Sequence, residues 1–242
     1  MPMRRGDFLG GLFLFLALLS GCAAESPAPA PVAPPTATVA APDASWPRYP
    51  LRAEQSWQLD APDGERFDAS GLLRLPNGDL LTVNDRSAGL YRIQFGPATN
   101  VAALVQLTNC FTPAQLAPFK RQKRGRYDCE GIARDEQGRL YLCEESNRWI
   151  LRWDPATQKV ERLAIDWSPV QKYFSPTDDN ASFEGIAIGR GRLYVANERS
   201  LGRLIVVDLA TLKIVDDFVV RRAGVTTGDV HYSDLCWFED SL

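Results

Sequence analysis

Histidine is almost missing from this chain: His231 is the sole one among 242 residues. With no Gly-x-Ser-x-Gly elbow either, a serine-histidine triad of the α/β-hydrolase type is excluded. One imidazole also offers little to zinc or copper. The five cysteines contain no C-x-x-C pair, which removes thiolate zinc sites and thioredoxin-like redox motifs. Neither sign of charge is in large surplus: 27 Lys and Arg face 30 Asp and Glu. A general nucleic-acid binder needs a cationic excess, and this chain has none. Long hydrophobic runs are absent too. The apolar stretch from Phe8 to Leu19 is shorter than the roughly 20 residues a membrane-spanning helix needs.

What is present is repetition. Ser70 to Ile93, Glu130 to Trp153 and Glu184 to Val207 share one cadence: a small or acidic residue, Gly, an aliphatic residue, then Gly-x-Leu with a hydrophobic strand, then an acid. The words are S-G-L-L-R-L-P-N-G-D-L-L-T-V-N-D, E-G-I-A-R-D-E-Q-G-R-L-Y-L-C-E-E and E-G-I-A-I-G-R-G-R-L-Y-V-A-N-E. A fourth copy opens at Ser233-Asp234-Leu235 and stops at Leu242. First positions are 60, 54 and 49 residues apart, the length of a four-stranded propeller blade with its loops. The fold expected is all-β: a β-propeller of four-stranded blades, here an incomplete ring of about three blades plus one strand.

Turn signals at Pro76-Asn77-Gly78, Glu136-Gln137-Gly138 and Gly189-Arg190-Gly191 separate the first two strands of each copy. In the second copy the expected strands are 131–134, 140–144, 149–154 and 160–165. Gly71, Gly131 and Gly185 open the innermost strands, where crowding at the axis leaves no room for a side chain. Arg52 to Leu59 is expected as an outer strand that pairs with the last blade and closes the ring.

The first 45 residues are of another kind. Arg4 and Arg5 precede the apolar stretch, and Leu19-Ser20-Gly21-Cys22 follows it. This resembles a bacterial lipoprotein signal, which implies cleavage before Cys22 and lipidation of its thiol. Residues 1–21 are then signal peptide and 22–45 a Pro/Ala-rich tether carrying the lipidated Cys22. The propeller domain occupies 46–242. Cleavage removes Arg4, Arg5 and Asp7, leaving 25 basic and 29 acidic residues (27 minus 2, 30 minus 1). The resemblance implies a cell-envelope location, with Ala23 after the lipidated residue favouring the outer membrane.

Of the remaining cysteines, Cys143 aligns with Val83 and Ala196, and Cys236 with Leu73, Ala133 and Ala187, so both read as small buried residues. Cys110 and Cys129 flank one long inter-blade loop and are the disulfide candidate.

The repeated acids carry the functional expectation. Antiparallel pairing puts the start of the first strand beside the end of the second. Glu130 therefore adjoins Glu144 and Glu145, and Glu184 adjoins Asn197 and Glu198. Ser70 adjoins Asn84 and Asp85, with Asp68 ahead of it. Propeller symmetry gathers these at one mouth of the central channel, with Asp234 from the fourth copy. Such a ring is neutralised by raised pKa values, by Arg86, Arg148 or Arg199, or by a hard cation. Calcium suits an all-oxygen set best. The run Lys120 to Arg126, K-R-Q-K-R-G-R, either steers a small anionic substrate to the rim or is a solvated loop. His231 is a lone candidate base.

Asp68-Ala69-Ser70-Gly71-Leu72 with Val83-Asn84-Asp85-Arg86, Phe183-Glu184-Gly185-Ile186 with Asn197-Glu198-Arg199, and Tyr232-Ser233-Asp234-Leu235 resemble the phytase-like or esterase-like bacterial propellers, related to the SdiA-regulated propellers. Calcium-dependent lactonases resembling gluconolactonase share the cadence. The resemblance implies a divalent cation held by Asp85, Glu130, Glu145, Glu184, Glu198 and Asp234, with Glu130 and Glu184 as catalytic candidates and phosphoesters or other esters as substrates. The pattern departs from that of the alkaline propeller phytases, since Ser70 replaces an acid and no Asp-rich phosphate clamp is present. The alternative is a non-catalytic propeller that binds a ligand or protein, with calcium serving structure.

Overall fold

The computed structural model describes residues 13–16, 52–61, 64, 66–97, 100–119, 127–178, 180–198, 202–220 and 231–242. Cys22 with its tether, the basic run 120–126 and Arg199 lie outside the described residues, as does the signal segment apart from 13–16.

Three β-sheets follow one another. The first contains β1 (Phe13–Leu16), β2 (Gln55–Asp60), β3 (Ala69–Arg74), β4 (Leu80–Asn84), β5 (Ser87–Phe95) and β6 (Val101–Gln106), in the order β1-β2-β6-β5-β4-β3. A four-residue helix, α1 (Pro113–Leu116), leads to β7 (Cys129–Arg134), β8 (Leu140–Glu144), β9 (Trp149–Asp154) and β10 (Lys159–Arg162), a four-stranded sheet. After a 3-10 turn at Ser168–Tyr173 comes the last sheet, β11 (Phe183–Gly189), β12 (Arg192–Asn197), β13 (Arg203–Asp208) and β14 (Lys213–Phe218). Each blade is an up-and-down meander with its first strand innermost, as the repeat predicts.

The second strands show why the blades stack. All five residues of β8 are buried, and they alternate between two cores. Leu140 and Leu142 join Leu81, Val83, Cys129 and Ile132 between the first and second blades. Tyr141 and Cys143 join Phe183, Ile186, Leu193 and Val195 between the second and third. A strand with apolar side chains on both faces is stable only between two sheets. The second blade is thus sandwiched, and the ring direction is set.

Inner-strand glycines meet at the axis. A Cβ on Gly71 would lie 2.8 Å from Gly131 Cα, and one on Gly131 would lie 2.9 Å from Gly185 Cα. One on Gly185 would lie 2.5 Å from Asp234 Cα, so the fourth copy continues the same circuit. Residues 231–237 form no strand ladder, and only Phe238 and Ser241 bridge beyond them.

Two strand expectations are corrected. β2 does not reach the last blade: it pairs in parallel with β6, placing Gln58 beside Val101, as a further outer strand of the first blade. Trp57 is its anchor, packed with Ile93, Ala102 and Leu104. The outer strand of the second blade stops at Arg162; Leu163 still donates its N-H to the Ile150 carbonyl at 2.9 Å, and Leu163 and Ile165 bury in the core shared with the third blade.

The cysteines also require correction. Cys110 and Cys129 are free thiols, both buried in the apolar core between the first two blades, so the candidate disulfide is not formed. Burial pushes the Cys110 thiol up to about 11 and raises that of Cys129 well above its ordinary value. Cys143 is buried as expected, but Cys236 is exposed.

Candidate functional site

A backbone clamp recurs at the rim of each blade. The N-H of Asp85 donates to the Asp68 carbonyl at 3.0 Å, that of Glu145 to Asp128 at 2.8 Å, and that of Glu198 to Ser182 at 2.7 Å. Just inside it the ladder slips. Cys129 faces Glu144 and Gly131 faces Cys143, leaving Glu130 bulged between them; Glu184 is bulged in the same way between Phe183 and Gly185. A bulge re-aims one side chain out of the alternation. Here it takes the two glutamates that the sequence singles out of the ladder register.

The slot filled by Asn84, Glu144 and Asn197 ties loops rather than facing the mouth. Asn84 Oδ1 accepts from the N-H groups of Asp68 and Arg86. Glu144 accepts from the backbone of Asp128 and from both nitrogens of Asn147. Asn197 donates to the Tyr173 carbonyl.

Between the first two blades, Asp85, Asp128 and Glu130 each present a carboxylate oxygen, and these oxygens all lie within 4.8 Å of one another. Ser70 reaches across from the first blade and donates to Glu130 Oε2 at 2.5 Å. Ser146 donates to Asp128 Oδ2 at 2.8 Å. Burial, reinforced by Asp128, Asp85 and Glu198 and opposed by the Ser70 hydrogen bond, raises Glu130 to about 7.

The next blade interface is built differently at one position. Ser182 stands where Asp128 stands, and its N-H donates to Glu145 Oε1 at 2.8 Å. Glu145 is fully buried, and its Oε2 has no hydrogen-bond partner among the described residues. Burial first, then the charges of Glu184, Glu130 and Asp128, push it to about 9. Fields from Glu184 and Glu198 thus reach the same group of acids.

Of the described arginines named as neutralisers, Arg86 pairs with a rim acid and Arg148 turns elsewhere. Arg86 bonds Asp68 at 3.1 Å, while Arg148 lies over the Phe174 ring at 4.7 Å and donates to the Ser175 carbonyl.

Of the six expected metal ligands, Asp85 and Glu130 lie in the close group with Asp128; Glu145, Glu184 and Glu198 influence that group through their charges, and outside it too is Asp234. That residue occupies the position of Gly71, Gly131 and Gly185, while Ser233 fills the glutamate position. Its carboxylate accepts from the N-H groups of Leu235 and Leu72 instead. His231 is an exposed side chain, 3.5 Å from Glu198 Oε1. Asp128 is the addition. Its signal is visible in the repeat, three residues before Gly131, as Asp68 is before Gly71 and Ser182 before Gly185.

The donor set passes a chemical test for calcium. It is all oxygen, and it gathers three carboxylates that repel one another without a cation.

No curated relative matches the chain in sequence. Solved structures with similar shape are propellers. Virginiamycin B lyase from Staphylococcus aureus is 15% identical with a TM-score of 0.39, over 68% of this chain and 44% of that one. The RRP9 WD40 repeats are 13% identical with a TM-score of 0.36, over 64% and 39%. YCF48 bound to the D1 peptide is 14% identical with a TM-score of 0.38, over 67% and 43%. The chain therefore spans less than half the length of these structures. The family model described as phytase-like, esterase-like activity of phytase, matches residues 65–241, and the chain belongs to that family.

Proposed function

We propose that this propeller is a calcium-dependent hydrolase of phosphoesters or other esters, acting at the rim formed by its first three blades. The observation that carries the proposal is the convergence of Asp85, Asp128 and Glu130 from two successive blades within 4.8 Å. These three hold the cation. When bound, calcium supplies positive charge that polarises the scissile group. Ser70 fixes the Glu130 carboxylate through its 2.5 Å hydrogen bond. Glu184, on the equivalent bulge of the next blade, is the base that takes a proton from the attacking water. Glu145 anchors the third blade through Ser182.

A second reading is favoured by one feature: the acids bridge blades, since Asp85 and Glu130 lie on neighbouring sheets. A cation there ties the ring together without catalysis. Calcium-dependent turnover of p-nitrophenyl phosphate and p-nitrophenyl acetate separates the two. Hydrolysis lost in Glu184→Gln, with calcium binding retained by calorimetry, supports the enzyme. Calcium binding without turnover of any ester supports the structural role. Lipidation at Cys22 would hold the domain at the cell envelope, and a Cys22→Ser chain that still partitions with membranes would contradict that anchor.

A further inference from the structure

A cavity of about 400 Å³ opens between the first blade and the segment that carries α1. Tyr91, Phe111, Leu116, Phe119 and Tyr127 line it, with Arg86 at one end. Its size is that of a small-molecule site, and four of its twelve lining residues are aromatic. Three features mark it as built. Phe111 holds φ at 51° although it is not glycine, a conformation that costs on the order of 1 kcal/mol, and it is 2% exposed where that wall meets the core between the first two blades. Tyr127 Oη donates to the Leu116 carbonyl at 3.4 Å, closing one side. Gly89 keeps the floor low, because a Cβ there would meet Gln106 Nε2 at 3.1 Å and the Tyr91 ring at 3.2 Å.

The cavity is joined to the acids by the chain itself. Arg86 directly follows Asp85 and Tyr127 directly precedes Asp128, so each lies about one residue step, roughly 3.8 Å between Cα atoms, from a cation-holding residue. Arg86 is 41% exposed and spends one guanidinium nitrogen on Asp68, leaving further donors at the cavity mouth.

We propose that this cavity seats an aromatic group of the substrate, so that the ester or phosphoester attached to it passes Arg86 and reaches Asp85, Asp128 and Glu130. The proposal rests on the hydrolase reading for the role of the reacting group, but its binding test does not need turnover. Calorimetry with phenylphosphonate and methylphosphonate, each with calcium present, isolates the ring. Phenylphosphonate is expected to bind roughly tenfold to a hundredfold tighter, the effect of burying one ring. Ala117→Trp, at an exposed position lining the cavity at the end of α1, is expected to remove that preference while leaving methylphosphonate binding and the melting temperature unchanged. Equal binding of the two probes, binding of neither, or a preference that survives Ala117→Trp overturns the proposal. A phenyl preference lost in Ala117→Trp but accompanied by no ester turnover leaves the cavity assigned and removes the hydrolase reading.

Discussion

At the scale of single residues, the acids at the rim are costly to ionise without a counter-charge. Glu130 and Glu145 are raised from 4.5 to about 7 and about 9, in both cases mainly by burial. Their folded forms hold protons more tightly than their unfolded forms, so they weaken the fold as they ionise. In a chelator, the melting temperature is expected to fall as pH rises from about 4.5 to 7 through Glu130, and on toward 9 through Glu145. A melting temperature that is flat or rises over that window contradicts the assignment. Ser70→Ala removes the hydrogen bond that favours ionised Glu130, and should cost about 1–2 kcal/mol of stability above pH 7, measured by urea unfolding. Below pH 5, where Glu130 is protonated, the loss should shrink. Asp128→Ser copies the third blade, where Ser182 meets Glu145 with a hydrogen bond. In the calcium-free protein the relief of one of three crowded carboxylates is set against the lost Ser146 hydrogen bond, so stability should change by no more than about 1–2 kcal/mol.

At the scale of elements, much of the blade was legible. Glycine turns at Gly78, Gly138 and Gly191 carry φ of 91°, 82° and 71°, as their place between the first two strands predicts. The inner glycines were legible for a different reason, the crowding at the axis. Gly131→Ala would force a Cβ to 2.9 Å from backbone atoms of Gly185 and Ile186, neither of which can turn aside. A loss of about 1–3 kcal/mol or more is expected from overpacking. Gly78→Ala meets nothing within 4 Å and should cost only about 1 kcal/mol, through its positive φ. Comparing the two in denaturant checks the ring geometry. What the repeat did not reveal depends on packing from outside the unit. Leu163 and Ile165, past the end of β10, bury in the core shared with the third blade, and β2 joins its own blade because Trp57 finds Ile93 and Leu104 there. Bulges were equally hidden: a pattern of acids gives their spacing, and only the register shows Glu130 and Glu184 leaving the ladder.

At the scale of the whole molecule, the blades are held by apolar faces shared between neighbours and by polar bridges at one rim. Those bridges differ from one interface to the next, and the difference locates the candidate cation. The first interface has Asp85 against Asp128 and Glu130, while the second has Glu145 against Ser182. This asymmetry was readable in principle from aligned copies, since Asp128 and Ser182 occupy one position. Asp234 departs from the pattern at the fourth copy, because it sits one place on from the glutamates and takes the glycine position at the axis. The most direct test is a calcium titration followed by thermal melting at pH 8, on the wild-type chain and on Asp128→Ser. A cation shared by successive blades predicts a calcium-dependent rise in melting temperature for the wild type and none for the variant. An unchanged wild-type melting temperature, or the same rise in Asp128→Ser, would contradict it.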